Sequence, residues 1–279
     1  DSLTIASDNG HTSIDIHPAS VIAMAEFCGS PVANWGIFKV GKQERVAVKS
    51  DHDVRSILKI ANDLSNSSGV SNAYMVAAEL ESQTEIDVTE IIDVLKGHSK
   101  VEFLEGPWFW NPEKRRDRNR LRNVTRRILS VTREVSLVDI RTGVARVYKF
   151  RNSSGSLKYE LTSPPISILS RFYAAHPEFE VISDNLVRSV EELDHRQELG
   201  ATEQTFVDVL RSISSGVIER QSFAESCLKL GMNENTFNLY TSYSPVLEHV
   251  DVDVWALRGA KLDLAAVRAV QQANSARPR

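Results

Sequence analysis

Residues 242–259 read SYSPVLEHVDVDVWALRG. Beyond Pro245 apolar and polar residues alternate, Asp251 to Asp253 supply a turn, and a second apolar run follows with Trp255 and Leu257. Alternation on both sides of a tight turn is the signature of a β-hairpin. Two earlier stretches read alike: GHSKVEFLEGPWFWNP over 97–112 and AHPEFEVISDNLVRS over 175–189. Their turns fall at Glu105-Gly106 and Ser183-Asp184, followed by strands with Trp108 and Trp110, and with Leu186 and Val187. The copies lie roughly 70 to 80 residues apart, a reasonable size for a small domain.

Helical periods precede each hairpin. Ahead of the first lie 54–64 (ended by the breaker Asn66-Ser67-Ser68-Gly69), 73–80, and 87–95 closed by Gly97. Ahead of the second lie 119–129, 137–147 and 164–175, with Pro165 suited to a first helical turn because its missing N–H is an orphan there anyway. Ahead of the third lie 203–213, 222–230 and 234–243, with Thr202 and Asn233 as expected N-caps and Gly231 as the residue that ends the middle helix. Three helices closed by a two-stranded flap is the winged-helix arrangement. The expected fold is therefore mainly α with small β wings (α+β), in tandem winged-helix modules. The expected boundaries are 53–112, 113–190 (a basic linker plus the second module) and 201–259. Residues 260–279 form a C-terminal helix or tail. Residues 1–52 are the remnant of a further module, in which 19–27 is helical and 35–40 pairs with 45–49 across Gly41-Lys42.

The ending VDVDVWALRG, with GMNENTFNLYTSYSP ahead of it, resembles the W-x-L-R close of the HARE-type winged helix. That domain occurs in the delta subunit of bacterial RNA polymerase and in some restriction and chromatin proteins. The repeats are also similar to helix-turn-helix repeats of sigma-factor-like proteins. The likeness is strongest over 201–259 and weaker over 118–189 and 53–112. It implies a transcription- or DNA-associated module with no chemistry of its own.

The chain has 279 residues, 42% hydrophobic and 25% charged, an ordinary globular composition. It has no run of 18 apolar residues and no signal-peptide pattern, so no membrane partner is expected. It begins at Asp1 rather than Met and reads as a piece of a longer protein. Cys28 and Cys227 each sit in apolar helical contexts and read as buried reduced thiols, which places the chain in the cytoplasm; association with the nucleoid goes with the expected DNA contact. The net charge of −4 lacks the basic field of a typical nucleic-acid binder, so DNA contact has to come from a local patch.

Two patches qualify. Lys114, Arg115, Arg116, Arg118, Arg120, Arg122, Arg126 and Arg127 crowd a linker and the start of a helix, opposed by Glu113 and Asp117. Arg118, Arg122 and Arg126 fall on one helical face, where a cationic stripe neutralises successive phosphates without reading sequence. The bland alternative is a solvated linker paired with acidic neighbours. The second patch is the third helix of the last module, with Asn233, Asn235, Asn238 and Tyr240. An asparagine amide matches adenine N6 and N7 in the major groove. Against this, Asn233 can serve merely as a cap while Phe237, Leu239 and Tyr240 pack in the core.

Acidic residues argue against equal DNA contact by every module: Asp87, Glu90 and Asp93 on the first module's third helix, and Glu248, Asp251 and Asp253 on the last hairpin. Trp35, Trp108, Trp110 and Trp255 are expected to close small cores. The seven histidines show no metal-ligand spacing, and His98 with His176 occupy equivalent turns. No phosphate-loop, dinucleotide or nucleophile-elbow motif occurs. The expectation is a non-enzymatic protein without cofactor, whose partner is double-stranded DNA. The alternative is a scaffold docking on RNA polymerase or on an enzymatic partner such as a phage-defence or restriction nuclease.

Overall fold

The computed structural model describes residues 18–28, 35–40, 43–48, 51–80, 87–112, 119–153, 164–183 and 185–275. In chain order the elements are α1 (Pro18–Phe27), β1 (Trp35–Val40), β2 (Gln43–Val48), α2 (Asp51–Ser68), β3 (Ser71–Asn72), α3 (Ala73–Leu80), α4 (Val88–Lys96), β4 (Glu102–Glu105) and β5 (Trp108–Trp110). There follow α5 (Arg120–Leu129), β6 (Glu134–Ser136), α6 (Leu137–Ser153), α7 (Ile166–Ala175), β7 (Phe179–Ser183), β8 (Leu186–Ser189) and α8 (His195–Glu198). The last are α9 (Ala201–Ser212), β9 (Val217–Glu219), α10 (Arg220–Lys229), α11 (Glu234–Tyr243), β10 (Leu247–Asp251), β11 (Val254–Leu257) and α12 (Leu264–Ser275). The architecture is α+β, helices with small antiparallel sheets. The described residues divide into two compact units, one within Asp1–Leu64 and Ser71–Asn111, the other within Ser65–Val70 and Pro112–Arg279.

One order of elements, helix–strand–helix–helix–strand–strand, occurs three times: once in the first unit and twice in the second. Each occurrence forms a three-stranded sheet with its last strand in the middle: β3-β5-β4, β6-β8-β7 and β9-β11-β10. The hairpins share even their irregularity. Pairs Phe103↔Phe109, Val181↔Val187 and His249↔Trp255 are each followed by a register slip before a two-residue connection. Such a bulge sharpens the local twist of a hairpin. The first strands pair at matching points through Ser71↔Phe109, Val135↔Val187 and Ile218↔Trp255.

These short first strands were not expected from the sequence, and local chemistry explains them. Each ends on a residue whose side chain caps the next helix: Asn72 accepts from the Met75 N–H, Ser136 from Asp139, and Glu219 from Gln221 and Ser222. The first residue of that helix donates its own N–H to the hairpin turn, Ala73 to Pro107, Leu137 to Asn185 and Arg220 to Asp253. Two or three residues of strand thus become a hinge between sheet and helix.

The cores follow from the helical periods. In the first unit Ile57, Ala61 and Leu64 of α2, Val76 and Leu80 of α3, and Ile91 and Leu95 of α4 are buried, with Phe109 and Trp110 on β5. In the second unit Leu121, Val124 and Ile128 of α5 are buried, as are Ile140 and Val144 of α6 and Phe172 and Tyr173 of α7. There the Thr125 and Tyr173 hydroxyls share a hydrogen bond of 2.6 Å. The last core centres on Phe206, Phe223 and Phe237, one from each of three helices, with ring centroids 5.2 to 5.9 Å apart.

Several local expectations need adjustment. α2 runs through Asn66-Ser67-Ser68 and stops only at Gly69, whose φ of +88° breaks the helix. α9 starts at Ala201 with Gly200, not Thr202, as its N-cap; the Gly200 carbonyl accepts from Glu203 and Gln204. Pro165 stands at the N-cap of α7 itself. The hairpin across residues 41 and 42 forms with Val40 facing Gln43.

Candidate nucleic-acid interface

Lys114, Arg115, Arg116 and Arg118 lie outside the described residues. Arg120 opens α5 and is half-buried. Asn119 fixes this helix start: its side chain accepts from the Arg122 N–H at 3.0 Å and donates to the Gly69 carbonyl at 3.4 Å. A side chain at Gly69 would place its Cβ 2.3 Å from Leu121 Cβ, so the approach requires glycine.

With Leu121, Val124 and Ile128 in the core, Arg122 and Arg126 fall one turn apart on a neighbouring face of α5. The stripe expected to meet phosphates here meets carboxylates of the same chain. Arg122 binds Glu178 in a bidentate fork at 2.8 to 3.0 Å. Arg126 reaches Glu178 at 2.9 Å and grips Glu198 through two nitrogens. Arg127 donates to Glu203, which is 3% exposed and also accepts from the Ser244 hydroxyl. Burial alone would raise the Glu178 carboxyl, but the hydrogen bonds from Arg122 and Arg126 outweigh it and leave it below its ordinary range. The Glu198 hydrogen bond, opposed by burial and aided by Glu178, holds Arg126 firmly charged. This clasp ties α5 to the turn before β7, to α8 and to α9.

On α11 the sequence reading meets the structure more directly. Asn233 is the N-cap, its side chain accepting from the Thr236 N–H at 2.8 Å. Phe237 and Thr241 are buried, and Tyr240 is half-buried against Tyr243 with ring centroids 4.9 Å apart. Asn235 and Asn238 are exposed, beside Glu234, Leu239 and Ser242. Arg220 donates to the Asn238 side-chain oxygen at 2.7 Å while its guanidinium lies over the Phe237 ring at 5.7 Å. Asn238 and Arg220 thus form an oriented amide–guanidinium pair on the open side of the helix.

The other end of α11 is covered. Arg146 of α6 donates to the Thr241 carbonyl and, at 2.8 Å, to that of Leu247. Arg258, the arginine of WALRG, is 2% exposed and donates to the carbonyls of Pro245 and Leu247, both at 2.8 Å. Burial pushes both guanidinium groups down, and the charge of Arg258 adds to the effect on Arg146. The conspicuous arginine of that ending is therefore a carbonyl cap at the helix–hairpin junction. α6 can approach because Gly143 lacks a Cβ, which would stand 2.8 Å from Ile128 Cδ1 and 3.3 Å from the Pro245 carbonyl.

Negative charge marks other surfaces. Glu90 and Asp93 lie on α4, whose N-cap Asp87 accepts from Thr89. The tip of the last hairpin carries Asp251 and Asp253 around Val252, which is 73% exposed. A broad cleft beside the end of α5 mixes Arg133, Arg211 and His195 with Glu134, Glu192 and Asp194, so it presents no single sign of charge to a ligand.

Sequence reasoning missed Glu178, Glu198 and Glu203 as partners of the arginine run, and Arg146, Arg220 and Arg258 as the groups that frame α11. Cys227 is buried as expected, and burial pushes its thiol up to about 12; Cys28 is exposed, because α1 leaves that end uncovered. Trp110 and Trp255 are buried and Trp108 is half-buried, while the side chain of Trp35 lies outside the described residues. His98 and His176 do play the same turn role: each Nδ1 accepts the backbone N–H two residues on, at 3.3 Å. Among the described residues no group of three or more His, Cys, Asp or Glu is placed to hold a metal ion, and no helix is long and apolar enough to cross a membrane. Compared with known proteins, the chain matches no family model, no curated protein and no solved structure.

Proposed function

We propose that the chain is a non-catalytic protein of three tandem winged-helix modules, over residues 53–112, 113–190 and 201–259, which docks on double-stranded DNA through the third helix of the last module. Transcription or genome maintenance is the setting, at the bacterial nucleoid. The recurring order of elements and the shared sheet topology support the modular reading. The single observation that carries the DNA reading is the open N-terminal half of α11, with exposed Asn235 and with Asn238 oriented by Arg220. In helix-turn-helix docking the N-terminal residues of the recognition helix contact base edges, and amide and guanidinium groups are the bidentate readers of adenine and guanine.

The test is fluorescence anisotropy with labelled duplexes of varied sequence over a salt series. Binding should weaken with salt, and Asn235→Ala with Asn238→Ala should flatten preference among duplexes by about tenfold per lost bidentate contact. A chain that ignores duplex DNA at low salt refutes the proposal.

A second reading has its own support. The acidic α4, the acidic tip of the last hairpin and the carboxylate-bound Arg122, Arg126 and Arg127 suit a scaffold docking on RNA polymerase or on a nuclease partner. A protein partner that co-purifies after nuclease treatment, together with indifference to duplex DNA, selects it.

A further inference from the structure

We infer that Arg122 and Arg126 form a latent phosphodiester-binding stripe for duplex DNA, masked in the free protein by Glu178 and Glu198 standing where phosphates would stand. The inference rests on the DNA reading above and adds a second contact surface to it. Glu178 bridges two guanidinium groups one helical turn apart, with both oxygens on Arg122 at 2.8 to 3.0 Å and one of them also on Arg126 at 2.9 Å. Arg126 then holds a second carboxylate, that of Glu198. One anion bridging two guanidinium groups, with another alongside, is how a cationic helix face receives consecutive phosphates.

The clasp is partly open to solvent: the side chains of Arg122 and Arg126 are 14% and 20% exposed, those of Glu178 and Glu198 16% and 20%. The masking groups sit on short supports, Glu178 in the turn between α7 and β7 and Glu198 on the four-residue α8 within an exposed connection. Arg127 is different, since its partner Glu203 is 3% exposed and also holds Ser244. That pair belongs to the framework and is left out of the stripe.

The experiment compares the full chain with its E178Q/E198Q variant, using a labelled random duplex in a salt series. The variant should bind about tenfold tighter at low salt with an unchanged salt slope, because both complexes neutralise the same phosphates and the variant is only spared the displacement of two carboxylates. A folded variant with unchanged affinity overturns the inference. Backbone hydrogen exchange on the unaltered protein decides the matter independently of any folding defect in the variant. Residues 191–199 should exchange faster once duplex DNA is bound and Glu198 is released; equal or slower exchange contradicts the mask. Should the chain bind DNA with neither effect present, the latent stripe fails alone. Should neither protein bind duplex DNA, the inference falls together with the proposed function.

Discussion

Replacing Arg127 with Ala isolates the buried joint between α5 and α9. The substitution leaves the Glu203 carboxylate, 3% exposed, with the Ser244 hydroxyl as its remaining polar partner in the clasp. Breaking a buried pair by removing one member costs about 3–5 kcal/mol, because the survivor keeps its desolvation without its counter-charge. Two features place this case at the low end. The Arg127 side chain is 24% exposed, and Glu203 sits in the first turn of α9, where the helix end favours negative charge by roughly 0.3–1 kcal/mol. The expected loss is about 3 kcal/mol, or roughly 6–12 °C in Tm for a unit of this size. Glu203→Gln keeps an acceptor and leaves Arg127 able to reach water, so about 1 kcal/mol is expected. In the R127A/E203Q double variant no charge is stranded, and the total loss should stay near 1–2 kcal/mol. Urea unfolding followed by tryptophan fluorescence measures all three variants. Strictly additive losses, or an R127A loss below about 0.5 kcal/mol, would refute the buried-joint reasoning, since exposed pairs behave that way.

Other consequences are simpler. In the native chain iodoacetamide should label Cys28 and spare Cys227, which burial keeps as a thiol; mass spectrometry reporting equal labelling would contradict that placement. The folded Glu178 pKa lies below its ordinary 4.5, so its contribution to stability is present above that value and drains away as pH falls through the folded pKa. Glu178→Gln should therefore flatten the fall in Tm between about pH 5 and 3, and an unchanged profile would speak against the Arg122–Glu178 fork. Phe237→Ala removes the ring that α11 contributes to the three-phenylalanine core and should cost about 3–5 kcal/mol by denaturant titration. A side chain at Gly69 meets both a positive φ and Leu121, so Gly69→Ala should destabilise by more than about 1 kcal/mol, whereas most glycine-to-alanine changes at permissive sites stabilise.

Much of the fold was legible because its decisive segments carry strong local signals. The alternation around Trp108, Val187 and Trp255 located three hairpins, Asn233 marked the start of α11, and Gly231, at a φ of +89°, follows the end of α10. The first strand of each repeat was not legible. Two or three residues such as Ser71-Asn72 have no period to detect, and they are strands only because β5 lies beside them. The α9 start was missed because its cap, Gly200, has no side-chain oxygen to announce it. At the site, helical spacing buries Phe237 and leaves Asn235 and Asn238 exposed, but Leu239, also expected in the core, faces solvent. The sequence could not say that the arginines are occupied. Glu178, Glu198 and Glu203 lie 52 to 76 residues from their partners, and only the folding of α7, α8 and α9 against α5 brings the charges together. Arg258 shows the same limit: nothing in the spacing of the W-x-L-R ending announces that its guanidinium donates to the backbone carbonyls of Pro245 and Leu247.

Site-specific photo-crosslinking tests the docking face most directly. A photoreactive phenylalanine analogue placed at Asn235 on α11, or at Val252 on the acidic hairpin tip, is irradiated in the full chain with duplex DNA. Adducts from position 235 and none from 252 are the expected result. DNA captured from 252 while 235 stays silent would mean that α11 does not face the duplex.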